Sequence, residues 1–101
     1  MTLGCSTTSL GAKKVSEAAF QWNKKHKIIS HVVTDRQALN VCLRFTLDHR
    51  LLVEPACGAS LAVVYSPIDF LEDKKNILVI VCGGAGVSIE QLEEWNKQLD
   101  K

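Results

Sequence analysis

The sequence predicts an α/β protein with about four helices and two to three strands, and two features indicate this class. Apolar residues recur at helical spacing in four segments, and two short runs rich in Ile and Val, residues 28–33 and 77–82, lie between them. Strand-like runs that alternate with helical patterns are typical of domains built on a parallel sheet. The 101 residues suffice for one small domain or for a piece of a larger one.

The first helix is expected from about Ala12 to His26, because apolar side chains return on one face. That face consists of Val15, Ala18, Ala19 and Trp22, at positions i, i+3, i+4 and i+7. Such a stripe predicts burial against a neighbouring element. The β-branched run "IISHVV", residues 28–33, then predicts a short strand.

The second helix is expected to begin after Thr34, because "TDRQ" has the spacing of a capping box. The Thr34 hydroxyl would accept from the backbone N–H of Gln37, whose side chain would reach back. The buried stripe is predicted as Ala38, Val41, Cys42 and Phe45. The helix should end near Asp48 or His49, and residues 51–53 form a connector or a strand too brief to assign.

The third helix is expected from Pro55 to Tyr65. A proline at the first helical position wastes no backbone donor, and Glu54 places negative charge at the positive end of the helix dipole. Nearly every residue from Ala56 onward is small or apolar, which predicts burial on most sides.

The run "ILVIVC", residues 77–82, is the clearest strand prediction, since unbroken apolar character suits a strand buried on both faces of a parallel sheet. "GGAG" then turns the chain. Ser88, with Gln91 three residues on, predicts a second capping box and a last helix. One face of that helix is expected to consist of Ile89, Leu92, Asn96 and Leu99. Because two strands do not form a stable sheet, the chain is interpreted as one side of a larger α/β domain.

Charge and composition exclude several classes of function. The net charge is +1, so no electrostatic footprint for nucleic acid or anionic lipid is present. No run approaches the ~18 consecutive apolar residues of a membrane helix, and the first residues lack the apolar core of a secretory signal. The four cysteines form no C-x-x-C pair and match no zinc spacing, which predicts free thiols in the cytoplasm.

The stretch "VCGGAGVS" is the first candidate for chemistry. Ligands of α/β folds bind beyond the carboxyl ends of strands, and glycines admit a close approach of backbone or ring. A tight strand-to-helix turn with no ligand is an equally good interpretation, and the third glycine of a dinucleotide fingerprint is missing. Cys82 is a candidate nucleophile if a base lies nearby, but no spacing selects among the histidines His26, His31 and His49. Glu54 is a candidate acid or base, although a capping role is the simpler one.

Two stretches, "LLVEPACGASLAVVYS" and "ILVIVCGG", together resemble the C-terminal part of animal-type L-serine dehydratases, which also act on L-threonine. These are pyridoxal-phosphate enzymes of fold type II. The resemblance includes "SLGAKK", "ISHVVTDRQAL" and "LDHRLLVEP", and it covers the chain from about Thr7 to Leu99. The serine dehydratase and serine dehydratase-like branch fits better than serine racemase or biosynthetic threonine deaminase, which typically have Ser at the position of Cys82. The fold class it implies is a partial three-layer fragment of the large domain.

The resemblance implies roles for particular residues. Cys82 would face the pyridine nitrogen of the cofactor, where a neutral thiol cannot stabilise a pyridinium as a carboxylate would. Gly83 and Gly84 would let the backbone pass close to the ring. The backbone carbonyls of Leu10 and Ala12 would help to hold a monovalent cation, usually potassium.

Other family features are missing from the 101 residues. The family's Schiff-base lysine in a Ser-x-Lys context, its tetraglycine phosphate loop and its Ser/Gly/Asn substrate loop do not occur. We therefore expect the last third of such an enzyme, which converts L-serine or L-threonine to pyruvate or 2-oxobutanoate plus ammonia. The chain alone should be inactive. Alternatives are a non-catalytic interaction module of the full-length, dimer-forming enzyme, and a translated fragment without a function.

Overall fold

The computed structural model describes residues 14–100 and contains four α-helices within that range. They are α1 (Glu17–Lys25), α2 (Asp35–His49), α3 (Pro55–Tyr65) and α4 (Ile89–Gln98), with a single 3₁₀ turn at Asp69–Leu71. Helix α2 packs against both α3 and α4. The core between them is small and consists of Leu39, Val41, Cys42, Val53, Cys57, Leu61, Ala62 and Leu92.

Helix α1 begins later than predicted and stands apart from this core. Ser16 is its N-cap and accepts from the backbone N–H of Ala19 at 3.2 Å. The stripe predicted to be buried is uncovered: no residue of α1 is buried, and Trp22 is 54% exposed. Among the described residues, α1 contacts no other helix, so no helix covers its apolar face.

Helix α2 follows the sequence closely. The capping box at Thr34 is confirmed, because its hydroxyl accepts from Gln37 N at 3.1 Å and its own N–H donates to Gln37 Oε1 at 2.8 Å. The helix ends at His49, and Arg50 takes a left-handed conformation with φ of 58°. Its buried residues are Ala38, Leu39, Val41 and Cys42. The stripe therefore presents a small-residue surface, with Ala38 and Cys42 one turn apart, to α3.

Helix α3 begins at Pro55, as predicted, with Glu54 as an N-cap whose side chain makes no capping hydrogen bond. Gly58 lies directly against α2, since a Cβ there would overlap the carbonyl oxygen of Ala38 and lie 2.6 Å from Cys42 Sγ. This close approach buries one side of α3. The opposite side is less covered, because Ala59 and Val63 are half-buried and Ser60 is exposed.

Helix α4 is capped by Ser88, which accepts from Gln91 N at 3.1 Å. Leu92 is fully buried and joins α4 to the core. Arg36 of α2 reinforces this packing, because its guanidinium donates to Asn96 Oδ1 at 2.9 Å and pairs with Asp100 at 2.6 Å. The C-terminal helix is thus held to α2 by one buried side chain and one polar cluster.

The two predicted strands are corrected by the structure. Residues 28–33 and 77–82 form neither helix nor strand, and between residues 14 and 100 no strand is present. Val32 is 88% exposed, and Leu78 is 86% exposed. A strand exists only when its backbone pairs with another strand, and two isolated segments do not supply a sheet. Of the predicted α/β class, only the helical part is therefore seen.

Candidate functional site

The two stretches that suggested chemistry in the sequence meet in the structure. The backbone N–H of Glu54, at the head of α3, donates to the carbonyl oxygen of Gly83 at 3.0 Å. The thiol of Cys57, one turn into α3, lies 3.4 Å from the same oxygen and donates to it. The Glu54 N–H and the Cys57 thiol, both at the start of α3, therefore donate to the same Gly83 carbonyl oxygen and attach the turn at residues 82–84 to the helix.

Gly83 and Gly84 are glycines for different reasons. Gly83 has φ of +140°, a conformation that side-chain-bearing residues rarely adopt, and no atom lies within 4 Å of a Cβ built on it. Gly84 is closely packed, because its Cβ would overlap the carbonyl oxygen of Leu52 and lie 2.9 Å from Val53 Cα. One glycine leaves an open side, while the other lets the turn lie against the connector before α3.

Cys82 precedes these glycines and is an exposed, free thiol. The histidines considered as its base have other described contacts. His26 stacks on Trp22 with ring centroids 5.0 Å apart, and His49 lies 4.6 Å from the ring of Phe45. His31 lines a groove beside α3. The described contacts therefore provide no base for Cys82 as a nucleophile.

Two further cysteines contribute to the site, and sequence reasoning treated them only as small apolar residues. Cys42 and Cys57 are both buried and free. Burial raises the pKa of the Cys42 thiol to about 11, so the group stays protonated near neutral pH. Its Sγ donates to the carbonyl oxygen of Glu54 at 3.2 Å. No spacing in the sequence marks the contacts of these two thiols, because they join residues that are 12 and 26 positions apart.

An open groove of about 560 Å³ lies on the less covered side of α3. It is lined by Ile29, His31, Val32, Val33, Thr34, Asp35, Ala38, Ala59, Ser60 and Val63. Most of these side chains are apolar, and the segment of residues 28–33 forms one wall. The groove therefore lies between a predicted strand and the helix face that the sequence expected to be covered.

The predicted cation ligands Leu10 and Ala12 lie outside the described residues. Within residues 14–100, no group of three or more His, Cys, Asp or Glu side chains is placed to bind a metal ion. None of the helices described here is both long and apolar enough to cross a membrane.

The sequence is similar to that of curated proteins over most of its length. It is 46% identical to the L-serine dehydratase of Dictyostelium discoideum over 96 residues, which are 92% of this chain and 27% of that protein. It is 44% identical to the serine dehydratase-like protein of Rattus norvegicus over 100 residues, covering 91% of this chain and 30% of the relative. The chain is homologous to one part of the serine dehydratases. No family model matches it.

A third homologue has a name that includes a second substrate. The L-serine dehydratase/L-threonine deaminase of Homo sapiens is 37% identical over 99 residues, which are 90% of this chain and 30% of that protein. The chain thus spans about a third of the length of the serine dehydratases that it matches. The resemblance found in "EPACGASLAVVY" and "VIVCGG" is confirmed as homology.

Proposed function

We propose that this chain is the C-terminal part of a pyridoxal-phosphate-dependent L-serine and L-threonine ammonia-lyase, and that it forms one wall of the cofactor site. The observation that carries the proposal is the 37–46% identity to serine dehydratases over some nine tenths of the chain. The fixed geometry of residues 82–84 supports it. The products would be pyruvate or 2-oxobutanoate and ammonia.

The residues present suit one side of a flat, ring-shaped cofactor. Cys82 is exposed, and Gly83 has an open side on which no protein atom would meet a Cβ. We propose that Cys82 faces the ring nitrogen and that the Gly83 and Gly84 backbone lies along the ring. When bound, pyridoxal phosphate withdraws electrons from the substrate so that the α-proton and the β-hydroxyl group can be lost. With the neutral Cys82 thiol at this position, the ring nitrogen would have no carboxylate partner.

The remaining anchors of the cofactor would come from polypeptide beyond these 101 residues. All described lysines, at positions 14, 24, 25, 27, 74, 75 and 97, are exposed. Four of them lie over aromatic rings at the surface, as Lys24 does over Phe20 and Lys74 over Phe70. An internal covalent link to the cofactor needs a lysine inside a closed site. We therefore expect the chain alone to lack dehydratase activity.

A graft tests the proposal. The matching third of the human L-serine dehydratase/L-threonine deaminase is replaced by residues 7–99 of this chain, and release of pyruvate from serine and of 2-oxobutanoate from threonine is measured. The chimera should be active, and the 101-residue chain with added cofactor should not. A folded chimera that binds the cofactor without producing either keto acid would contradict the proposal, as would activity of the chain alone.

Cys82 is tested in the same chimera. Cys82→Asp places a carboxylate at the ring nitrogen and should shift the absorbance of the bound cofactor and lower the elimination rate. Cys82→Ser, an uncharged replacement of similar size, should leave both nearly unchanged. Equal behaviour of the two variants would remove Cys82 from the cofactor wall.

The second proposal is a non-catalytic interaction module that binds the full-length enzyme. It is favoured by the exposed apolar segments, in which Ile28 is 54% and Ile80 is 65% exposed. An apolar segment without a hydrogen-bonded partner can add as a strand to the edge of another protein's sheet. In a pull-down with full-length human enzyme, the tagged chain should co-purify, and a variant with Ile80→Lys should do so less. Absence of co-purification would argue against this module.

We also propose that the parent enzyme is a dimer, on the family resemblance alone, and that the chain lies in the cytoplasm. The support for the cytoplasm is that Cys42, Cys57 and Cys82 are all free thiols. A potassium ion at the carbonyls of Leu10 and Ala12 is also part of the proposal, based on the family resemblance alone.

A further inference from the structure

We infer that Cys57 is a positioning residue that sets the orientation of the Gly83 peptide and, through it, the wall formed by Cys82 and Gly83. The contact itself is independent of the enzyme's activity, whereas its consequence for a bound cofactor rests on the proposed function. Cys57 lies on α3 and donates to the carbonyl oxygen of Gly83, so it acts through Gly83 and not on the reacting atoms.

The first step in the argument is the conformation of Gly83. A glycine at φ of +140° has no side chain to restrict rotation and no neighbour within 4 Å of its Cβ position. Its orientation must therefore be set by hydrogen bonds and by the packed residue that follows. Gly84 is fixed against Leu52 and Val53, and the Gly83 carbonyl is fixed by its two donors.

The second step is that both donors are themselves held rigidly. Cys57 is 2% exposed and lies on α3 next to Gly58, the residue in closest contact with α2. The other donor is the N–H of Glu54, and the carbonyl of Glu54 accepts from Cys42 Sγ at 3.2 Å. Two buried thiols thus connect the helix core with residues 54 and 83. Removing Cys57 would leave Gly83 with a single donor.

Amide hydrogen exchange of the full 101-residue chain measures this directly. The N–H of Glu54 exchanges only when its bond to Gly83 O opens. In Cys57→Ala, its exchange should accelerate about three- to tenfold relative to amides in the middle of α2, in keeping with the loss of one weak hydrogen bond. Cys57→Val removes the donor without leaving a cavity and should give the same selective change. Cys57→Ser supplies a hydroxyl donor and should restore the wild-type ratio.

Leu61→Ala is the matched control. Leu61 is 5% exposed on the same helix, and its truncation lowers overall stability without removing a donor to Gly83. It should accelerate the Glu54 and α2 amides in parallel. If Cys57→Ala and Cys57→Val also accelerate exchange at Glu54 and in α2 equally, or change neither, Cys57 only fills space in the core and the inference is overturned.

The chimera described above separates this inference from the proposed function. There, Cys57→Ala and Cys57→Val should shift the absorbance of the bound cofactor, and Cys57→Ser should reverse the shift. A folded chimera that binds the cofactor but is inactive, together with selective exchange at Glu54, would overturn the proposed function and retain the positioning contact. An active chimera without selective exchange would overturn the positioning contact alone.

Discussion

Helix α3 and residues 77–82 are both strongly apolar, and the sequence predicted both to be buried. In α3, Leu61 and Ala62 are each 5% exposed. In the other stretch, Leu78 is 86% exposed and Ile80 is 65% exposed. Two apolar stretches that were both expected to be buried therefore have opposite exposures within one molecule.

The difference lies in where each stretch finds hydrogen-bond partners. A helix pairs its backbone groups within itself and needs only one apolar neighbour, which α2 supplies to α3. A strand pairs its backbone with another strand, and a buried parallel strand needs one on each side. The matched region makes up 27% and 30% of two of these relatives, so most of their sequence lies outside it. The comparison teaches that a helix is completed by its own backbone hydrogen bonds, whereas a strand at residues 77–82 needs a partner that residues 14–100 do not supply.

The largest effect is expected from Leu92→Ala, which tests whether the helical core is cohesive. Leu92 is fully buried between α4 and α2, and truncation of a buried leucine costs about 2–5 kcal/mol. Urea unfolding followed by circular dichroism measures the loss. Ile89→Ala on the same helix is the control, because Ile89 is 45% exposed and should cost much less. Similar losses in both variants would mean that α4 is not part of the core.

Gly58→Ala should have the next largest effect, because α3 and α2 touch at this residue. The added methyl group would overlap the carbonyl oxygen of Ala38 and approach Cys42 Sγ to 2.6 Å. Overpacking of this kind costs about 1–3 kcal/mol. Gly86→Ala is the control, since nothing lies within 4 Å of its Cβ position. Helix propensity alone predicts that Gly58→Ala is stabilising. That result would mean that α3 and α2 are not in close contact at Gly58.

Thr34→Ala compares a helix inside the core with one outside it. The capping box at Thr34 begins α2, so its loss should lower the free energy of global unfolding by about 1 kcal/mol. Ser16→Ala removes the corresponding cap from α1, which has no buried residue. That variant should reduce helicity without moving the urea midpoint. A shift of the midpoint equal to that of Thr34→Ala would show that α1 unfolds together with the core.

The sequence predicted the helices of the core well, because their signals are local. The capping box at Thr34, the proline at position 55 and the Ser88 cap were all identified from spacing alone. Strand formation failed as a prediction because it depends on partners that a local pattern does not reveal. The predicted burial of the apolar stripe of α1 was wrong for the same reason, because the pattern identifies an apolar face but not the element that would pack on it.

The candidate site was predicted in part. Glycines and a cysteine after an apolar run drew attention to residues 82–84, either as a ligand site or as a tight turn without a ligand. The structure gives Gly84 a packing reason, and Gly83 a conformational one. The contact of Cys57 with Gly83 spans 26 residues and has no signature in spacing. The roles of Cys82 toward a cofactor, and of Leu10 and Ala12 toward a cation, remain predictions.

A smaller effect is expected from Tyr65→Phe, which removes a surface link between the last turns of α2 and α3. The Tyr65 hydroxyl donates to Asp48 Oδ2 at 2.9 Å, and this bond, with Arg44 beside it, lowers the pKa of Asp48. A depressed carboxyl pKa stabilises the fold above the unfolded-state pKa, and this contribution is lost as pH falls through the folded value. NMR titration should show the Asp48 midpoint rising toward its ordinary range in Tyr65→Phe. An unchanged midpoint would assign the lowered pKa of Asp48 to Arg44 and His49.

In the 101-residue chain, the smallest effect is expected from Leu78→Ser, which tests whether residues 77–82 are exposed. The side chain is 86% exposed, so the free energy of unfolding of the 101-residue chain should change by less than about 0.5 kcal/mol. In the chimera with the human enzyme, the same residue would lie in a paired strand, where full burial of a leucine contributes about 1.5–3 kcal/mol. Thermal melts of both proteins make the comparison. A large loss in the isolated chain would mean that residues 77–82 are already covered, and a negligible loss in the chimera would mean that no strand from the human enzyme pairs with them.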